Sequence, residues 1–116
     1  MYIYRLQILS SKSCSEEQLN NIIGVSSNFL YANWGIEIIQ SGENFSEILV
    51  YFLSLLEGKY EKLESIGISR ENISIWILYE YEGQCNMEYD PVSMKKIGEN
   101  GIVLCISCWE KEGELS

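Results

Sequence analysis

The cysteines are the residues whose spacing comes nearest to a chemical motif. Cys105 and Cys108 have the CxxC spacing found in redox pairs and in halves of zinc sites. They lie in an apolar run, residues 102–109, that predicts a strand, and residues three apart on a strand point to opposite faces. Because one metal ion needs both sulfurs on the same side, the pattern favours buried, reduced, structural thiols. Metal binding or redox chemistry is the alternative.

Carboxylates are the other candidates for chemistry, because the chain has no histidine. Glu80, Glu82 and Glu88 flank a predicted turn at residues 83–84, where clustered carboxylates could bind a metal or share a proton. A solvated end of a hairpin is the alternative. Asp90 precedes Pro91 and is better explained as a helix cap. No serine or cysteine nucleophile has a histidine as its base, so we predict no enzyme, no catalytic residue, no metal and no cofactor.

Charge and length limit the classes of function. The chain has 116 residues, with 17 acidic and 8 basic side chains and a net charge of -9. We expect one domain, residues 1–116, with residues 110–116 as a frayed tail. A negative chain is repelled by nucleic acid and by anionic membranes, and it attracts a basic protein; simple solubility is the alternative reading. The sequence shows neither a signal peptide nor a membrane-spanning run, which with the free thiols predicts a cytoplasmic protein.

The elements that position these residues follow from the apolar periodicity. Alternation predicts strands, most clearly over residues 73–82, and an apolar period of three to four predicts a long helix over 45–65. The sequence Asp90-Pro91 predicts the start of a helix at 91–98. The remaining predicted elements are a helix at 15–23 and strands at 2–9, 36–40, 85–89 and 102–109.

The order β-α-β-α-β-β-α-β predicts the α+β class, with a mainly antiparallel sheet and helices packed on one face. Strands 73–82 and 102–109 are predicted to be central in the sheet, because both are apolar on both faces.

The second half of the chain resembles the bacterial domain of unknown function family 4279. The residues that carry the resemblance are NFSEILVYFLSLLEGKYEKLESIGI, from residue 44, and ISIWILYEYEGQCNMEYDPVSMKKIGENGIVLCISCW, from residue 73. They share with the family a long amphipathic helix, an Ile-rich strand, a hairpin, an acidic cap with proline, a short helix, a tight turn and a final apolar strand that ends in an aromatic residue. The resemblance carries no catalytic residues. It implies a small acidic protein of the kind suspected to act as the immunity protein of a bacterial toxin system.

Candidate binding residues come from two segments. Trp76, Glu80 and Glu82 share one face of the strand 73–82, an aromatic–acidic combination that suits a basic partner, and Trp109 with Glu110 could extend that face. Burial of Trp76 under residues 25–35 or under a second copy is the alternative. Tyr31 and Trp34 in the segment 25–35 could form a binding lip, or they could plug the end of the core.

These observations predict a protein-binding domain, in its most concrete form an immunity protein that neutralises a basic bacterial toxin. A small-molecule sensor that uses the loop aromatics is one alternative. A homo-oligomeric structural domain that pairs through the sheet face is another. The predicted oligomeric state is a monomer or a weak homodimer.

Overall fold

The computed structural model describes residues 2–10, 14–29, 32–40 and 44–112. Alternating apolar residues form the strands, and the first and last helices begin at side-chain caps. Ser15 caps the first helix, and Asp90 with Pro91 starts the last, as the sequence predicts. In chain order the elements are β1 (Tyr2–Ile8), α1 (Glu16–Ile23), β2 (Trp34–Gln40), α2 (Phe45–Leu56), α3 (Tyr60–Ser65), a single 3-10 turn (Arg70–Asn72), β3 (Ile73–Tyr81), α4 (Pro91–Asn100) and β4 (Val103–Glu110).

The strands form one sheet in the order β2-β1-β3-β4. β1 is antiparallel to β2 and to β3, whereas β3 and β4 are parallel. The predicted α+β class and mainly antiparallel sheet are confirmed. Parallel strands need a crossover connection. Here α4 lies between β3 and β4 in the chain and returns it to the end of the sheet at which β3 begins, so β4 runs in the same direction as β3.

The predicted strand at 85–89 is wrong. Residues 84–90 have no regular secondary structure, although Met87 and Tyr89 pack against the core. A hairpin strand would have to pair with β3, but β1 and β4 already occupy the two sides of β3. Residues 85–89 alternate between half-buried and exposed, and this alternation reflects side-chain packing and not strand pairing.

The predicted helix at 45–65 is two helices. α2 ends at Leu56 and α3 begins at Tyr60, with Gly58 between them at a φ of +73°. That conformation lies outside the right-handed helical region and is open to glycine without strain. Gly58 is therefore a break in the helix and not a tolerated interior residue.

The predicted central position is confirmed for β3 and is wrong for β4, which lies at the edge of the sheet. Ile73, Ile75 and Ile77 of β3 are fully buried, whereas every residue of β4 is half-buried or exposed. Several apolar side chains of β4 are therefore not buried by the rest of the chain.

The core lies on one face of the sheet, called here the inner face. It carries Tyr4, Leu6 and Ile8 of β1 and the three buried isoleucines of β3. All four helices contribute buried residues to this cluster, among them Leu19, Ile23, Leu49, Phe52, Leu56, Leu63 and Ile97. The opposite, outer face of the sheet has no helix packed against it in the described part of the chain. No helix in that part of the chain has the length and hydrophobicity needed to cross a membrane.

Candidate functional site

The strand register places two tryptophans on the outer face. Trp76 of β3 pairs with Arg5 of β1 and with Cys105 of β4, and Glu80 pairs with Trp109. Paired residues of neighbouring strands point to the same side of a sheet. Trp76 and Glu80 are four residues apart on β3 and therefore point to the same face. Trp109 pairs with Glu80, so all three side chains share the outer face.

A hydrogen bond fixes part of this group. The indole N–H of Trp109 donates to Oε2 of Glu80 at 3.1 Å, and Trp109 is 38% exposed. The indole N–H of Trp76 donates to Oγ of Ser74 at 2.9 Å, and Trp76 is half-buried. Both polar groups are satisfied while the ring surfaces stay partly open. The tryptophans are thus held in defined positions and offer apolar area to a partner.

Residues 27–29 cover one corner of the outer face. Phe29 is buried there, with the guanidinium of Arg5 at 4.3 Å from its ring centroid, and Arg5 Nε lies 2.6 Å from Oε2 of Glu37. A shallow depression of about 230 Å³ separates Phe29 from the open part of the face. It is lined by Arg5, Gln7, Phe29, Trp76, Leu78 and Ser107. The segment therefore borders Trp76 without enclosing it.

Two of the predicted binding residues lie elsewhere. Trp34 is fully buried, and its indole N–H donates to Oδ1 of Asn20 at 2.8 Å, so it belongs to the core. Glu110 pairs with Tyr81 and lies on the inner-face side, because adjacent strand residues alternate between faces. Neither residue can join Trp109 on the outer face, and Tyr31 lies outside the described residues.

The predicted carboxylate cluster separates into different environments. Glu82 lies 3.4 Å from Nζ of Lys111, Glu80 accepts from Trp109, and Glu88 lines a cleft on another part of the molecule. Asp90 caps α4, where its two oxygens accept from the backbone N–H and the hydroxyl of Ser93 at 3.0 and 2.7 Å. Within the described ranges, no three cysteine or acidic side chains form a group that could hold a metal ion.

Most of the acidic charge lies on the helical side of the molecule. The outer face carries two ion pairs, Arg5–Glu37 and Glu82–Lys111, together with Glu80. Exposed acidic residues on and next to the helices include Glu16, Glu17, Glu47, Glu57, Glu61, Glu64 and Glu99. The net charge therefore acts on a partner at long range, whereas direct contact on the outer face is mainly apolar.

Sequence reasoning missed an aromatic cleft of about 410 Å³ at one end of the sheet. Tyr2 and Tyr4 of β1, Phe45 at the start of α2 and Tyr89 before α4 line it, together with Glu88 and Asp90. The Tyr4 and Phe45 ring centroids are 6.1 Å apart, and Phe45 meets Tyr89 edge-on at 5.6 Å. The sequence signal was the Tyr2–Tyr4 pair at strand spacing, but only the fold brings Phe45 and Tyr89 to it.

The electrostatics of the cleft favour a positive ligand. Glu47 in the first turn of α2 and the Asp90 cap of α4 offset the partial positive charge of the two helix ends near the cleft. Glu88 adds a further carboxylate, and no basic residue is among the described residues that line the cleft. The hydroxyl and the backbone N–H of Ser93 hold the pKa of the Asp90 carboxyl below its ordinary value, so this group stays charged at neutral pH.

Comparison with known proteins finds no matching family model, no matching curated protein and no matching solved structure. Membership of family 4279 therefore stays a prediction.

Proposed function

We propose that this chain is a protein-binding domain that docks a basic partner on the outer face of its sheet. The observation that carries the proposal is the group of Trp76, Trp109 and Glu80, held together on a face that none of the described helices covers. Tryptophan is enriched among the residues that dominate binding energy, since a fixed ring supplies contact area at low entropic cost.

In its most concrete form, the proposed partner is the basic domain of a bacterial toxin, and the chain is its immunity protein. The resemblance of residues 44–68 and 73–109 to family 4279 and the net charge of -9 support this version. The acidic helical surface would speed encounter with a positive partner, and the outer face would make the contact that keeps it bound.

The test is binding kinetics against the product of the adjacent gene. We expect Trp76→Ala to raise the dissociation rate and to cost about 2 kcal/mol or more of affinity, as a central contact residue does. Trp109→Ala should act in the same direction, and its greater exposure makes it the safer variant for folding. Tyr51→Ala is the matched control, because Tyr51 is an exposed aromatic residue on α2. Folded Trp76 and Trp109 variants that bind like wild type would remove the outer face from the interface.

The aromatic cleft supports a second function, the binding of a small organic cation. Aromatic rings attract cations through the negative charge of their faces, most strongly where water is excluded, and Glu88 would add a counter-charge. The volume of about 410 Å³ lies in the usual range of small-molecule sites. This version keeps the predicted class of a small-molecule sensor but moves the site from residues 25–35 to the cleft.

Tetramethylammonium is the probe for the cleft, and tert-butyl alcohol is a neutral control of similar shape. We expect the cation alone to shift the NMR resonances of Tyr2, Phe45 and Tyr89 with a dissociation constant in the range of about 1 mM. Glu88→Gln should weaken that binding, whereas Glu64→Gln on α3 should not. Equal shifts from the cation and from the alcohol would show that the cleft does not select charge.

A further inference from the structure

The two edges of the sheet are treated differently. At the free edge of β2, the backbone N–H of Gly35 donates to Oγ of Ser27, and its carbonyl accepts from the backbone N–H of Asn28 at 2.9 Å. The Asn28 side chain also bonds both backbone groups of Glu37, at 2.6 and 3.2 Å. Residues 27–28 thus cover the edge of β2 with hydrogen bonds, as native proteins do to prevent unwanted strand pairing.

β4 has no such cover. In the described part of the chain, the backbone of residues 103–110 has no hydrogen bonds apart from those of its pairing with β3. Residues 103–109 contain no charge and no proline, which are other common means of protecting an edge. Val103, Ile106 and Trp109 are exposed by 54, 45 and 38%. A regular, uncharged, apolar edge of seven residues, 103–109, is a surface on which another strand can pair.

We propose that β4 pairs antiparallel with β4 of a second copy of this chain, about a two-fold axis at Ile106, and so joins two sheets into one of eight strands. The proposal goes beyond the binding function above and does not depend on it. It concerns the edge of the sheet, whereas the homo-oligomer expected from the sequence pairs through a sheet face.

The sequence of β4 is self-complementary in this register. Ile106 lies opposite Ile106 of the second copy, Val103 opposite Trp109, Leu104 opposite Cys108 and Cys105 opposite Ser107. Each of the three exposed apolar side chains therefore obtains an apolar partner: the Val103–Trp109 pair forms twice by symmetry, and the Ile106–Ile106 pair forms once, on the axis. Aromatic–β-branched pairs such as Val103–Trp109 are among those that stabilise antiparallel strands.

Neighbouring registers are poorer. A shift of one residue would place inner-face side chains opposite outer-face ones, which a continuous sheet does not allow. A two-fold axis at Cys105 would place Trp109 opposite Gly101, and an axis at Ser107 would place it opposite Cys105. The axis at Ile106 is the register that matches all three exposed apolar residues.

Charge is compatible with this pairing at short range and opposes it at long range. No like charges lie opposite one another, because Glu110 faces Ile102 and Lys111 faces Gly101 of the second copy. Arg70 packs against that glycine turn and donates to the carbonyl of Asn100, so Glu110 and Glu112 of one copy approach an arginine of the other. The net charge of -9 on each copy repels, and added salt should therefore tighten the dimer.

Sedimentation of the purified chain from about 1 µM to about 1 mM tests the proposal, since a one-strand interface is smaller than a standard one and should give a dissociation constant in the micromolar range. We expect a monomer–dimer equilibrium that tightens with salt. Ile106→Lys should weaken it at least about tenfold, because an inward charge is a natural device against edge pairing. Ile39→Lys is the matched control: it makes the same change at an exposed isoleucine on the covered edge strand β2. A wild-type chain that stays monomeric at every concentration and salt would overturn the proposal.

Cross-linking tests the register and does not depend on the lysine variant folding. In Ile106→Cys, the two introduced thiols face each other across the axis. With oxidised glutathione, they should form one S–S bond and release two molecules of reduced glutathione. Wild type and Val103→Cys are the controls, because their β4 thiols face serine, leucine or tryptophan in the proposed register. Covalent dimer that forms as fast in Val103→Cys as in Ile106→Cys would show that the strands do not pair about Ile106.

Discussion

Glu80 illustrates how one residue of the outer face combines two roles. Its carboxylate accepts the indole N–H of Trp109 at 3.1 Å, and it carries a negative charge next to the proposed contact area. Glutamine at this position would keep the acceptor and remove the charge. The two roles can therefore be separated by one conservative change.

We predict that Glu80→Gln slows association with the basic partner and leaves the dissociation rate and the free energy of unfolding nearly unchanged, the latter within about 0.5 kcal/mol. Glu64→Gln on α3 is the control: it removes the same charge from the helical surface, far from the outer face, and should slow association less than Glu80→Gln does. Stopped-flow association and urea unfolding measure the two effects. If both variants slow association equally, only the net charge matters and Glu80 has no local part in encounter.

The cysteines differ in their surroundings. The register places Cys105 on the outer face and Cys108 on the inner-face side, which confirms the predicted opposite orientation. Burial raises the pKa of the Cys105 thiol. Burial also raises the pKa of the Cys85 thiol, with a further contribution from the nearby Cys108 thiol.

We predict slow alkylation of Cys85 and Cys105 by iodoacetamide at neutral pH. A raised pKa means that less of each thiol is present as the reactive thiolate at a given pH, so the rate should rise with pH and reach half its maximum above the usual thiol pKa. Site-resolved mass spectrometry follows each cysteine, and the chain unfolded in urea gives the reference rate. A half-maximum below that of the unfolded chain would contradict the assignment.

At the scale of the element, Gly35 allows residues 27–29 to lie against β2. A Cβ at Gly35 would come within 2.9 Å of Cδ1 and 3.1 Å of Cβ of Phe29, and within 3.4 Å of the Leu6 carbonyl oxygen. Phe29 can therefore cover this corner of the outer face only because residue 35 has no side chain.

We predict that Gly35→Ala lowers the free energy of unfolding by about 1–3 kcal/mol, the usual cost of overpacking, and loosens the cover of the β2 edge. Gly98→Ala in α4 is the control. Nothing lies within 4 Å of its added Cβ, and alanine in a helix should stabilise by roughly 0.5–1 kcal/mol. Urea unfolding measures both variants, and hydrogen exchange at Glu37 reports on the edge. A stable Gly35→Ala with unchanged exchange would mean that Phe29 does not need the glycine.

Local sequence signals predicted the elements whose cause is local. Alternation identified β1 and β3, and the Asp90-Pro91 pair identified α4, because strand faces and helix caps depend on residues a few positions apart. The break at Gly58 was missed because the apolar period continues across it. The edge position of β4 and the absence of a strand at 85–89 depend on which strands pair with β3. The local sequence of neither segment shows that β1 and β4 occupy the two sides of β3.

At the scale of the whole molecule, the sequence likewise predicted only those parts of the candidate sites that have a local cause. Trp76, Glu80 and Trp109 were predictable as a group because strand spacing fixes the face of each side chain. The aromatic cleft was not, since it joins Tyr2 and Tyr4 with Phe45 and Tyr89, which the chain brings together from separate elements. For Trp34 the sequence left both a binding lip and a plug of the core open, because an aromatic residue after an irregular segment looks the same in sequence whether it is buried or exposed.

The negative net charge opposes the proposed β4–β4 dimer and favours association with a basic partner. A change of pH should therefore affect the two associations in opposite directions. The pI is near 4.4, so lowering the pH from 7 toward that value removes negative charge from every copy. Repulsion between copies falls and the β4–β4 dimer should tighten, whereas association with a basic partner should slow because steering weakens.

The fold should persist over this range. The pKa of Asp90 is lowered by its bonds to Ser93, so the stability it contributes is present above the pKa of about 3.9 that the carboxyl has in the unfolded chain, and is lost only as pH falls through the lower folded value. We therefore predict a folded chain at pH 5 whose dimer is tighter and whose association with the partner is slower than at pH 7. Circular dichroism checks the fold, and sedimentation and stopped-flow kinetics measure the two associations. If both respond to pH in the same direction, net charge does not govern them, and specific ion pairs at one of the two surfaces must do so.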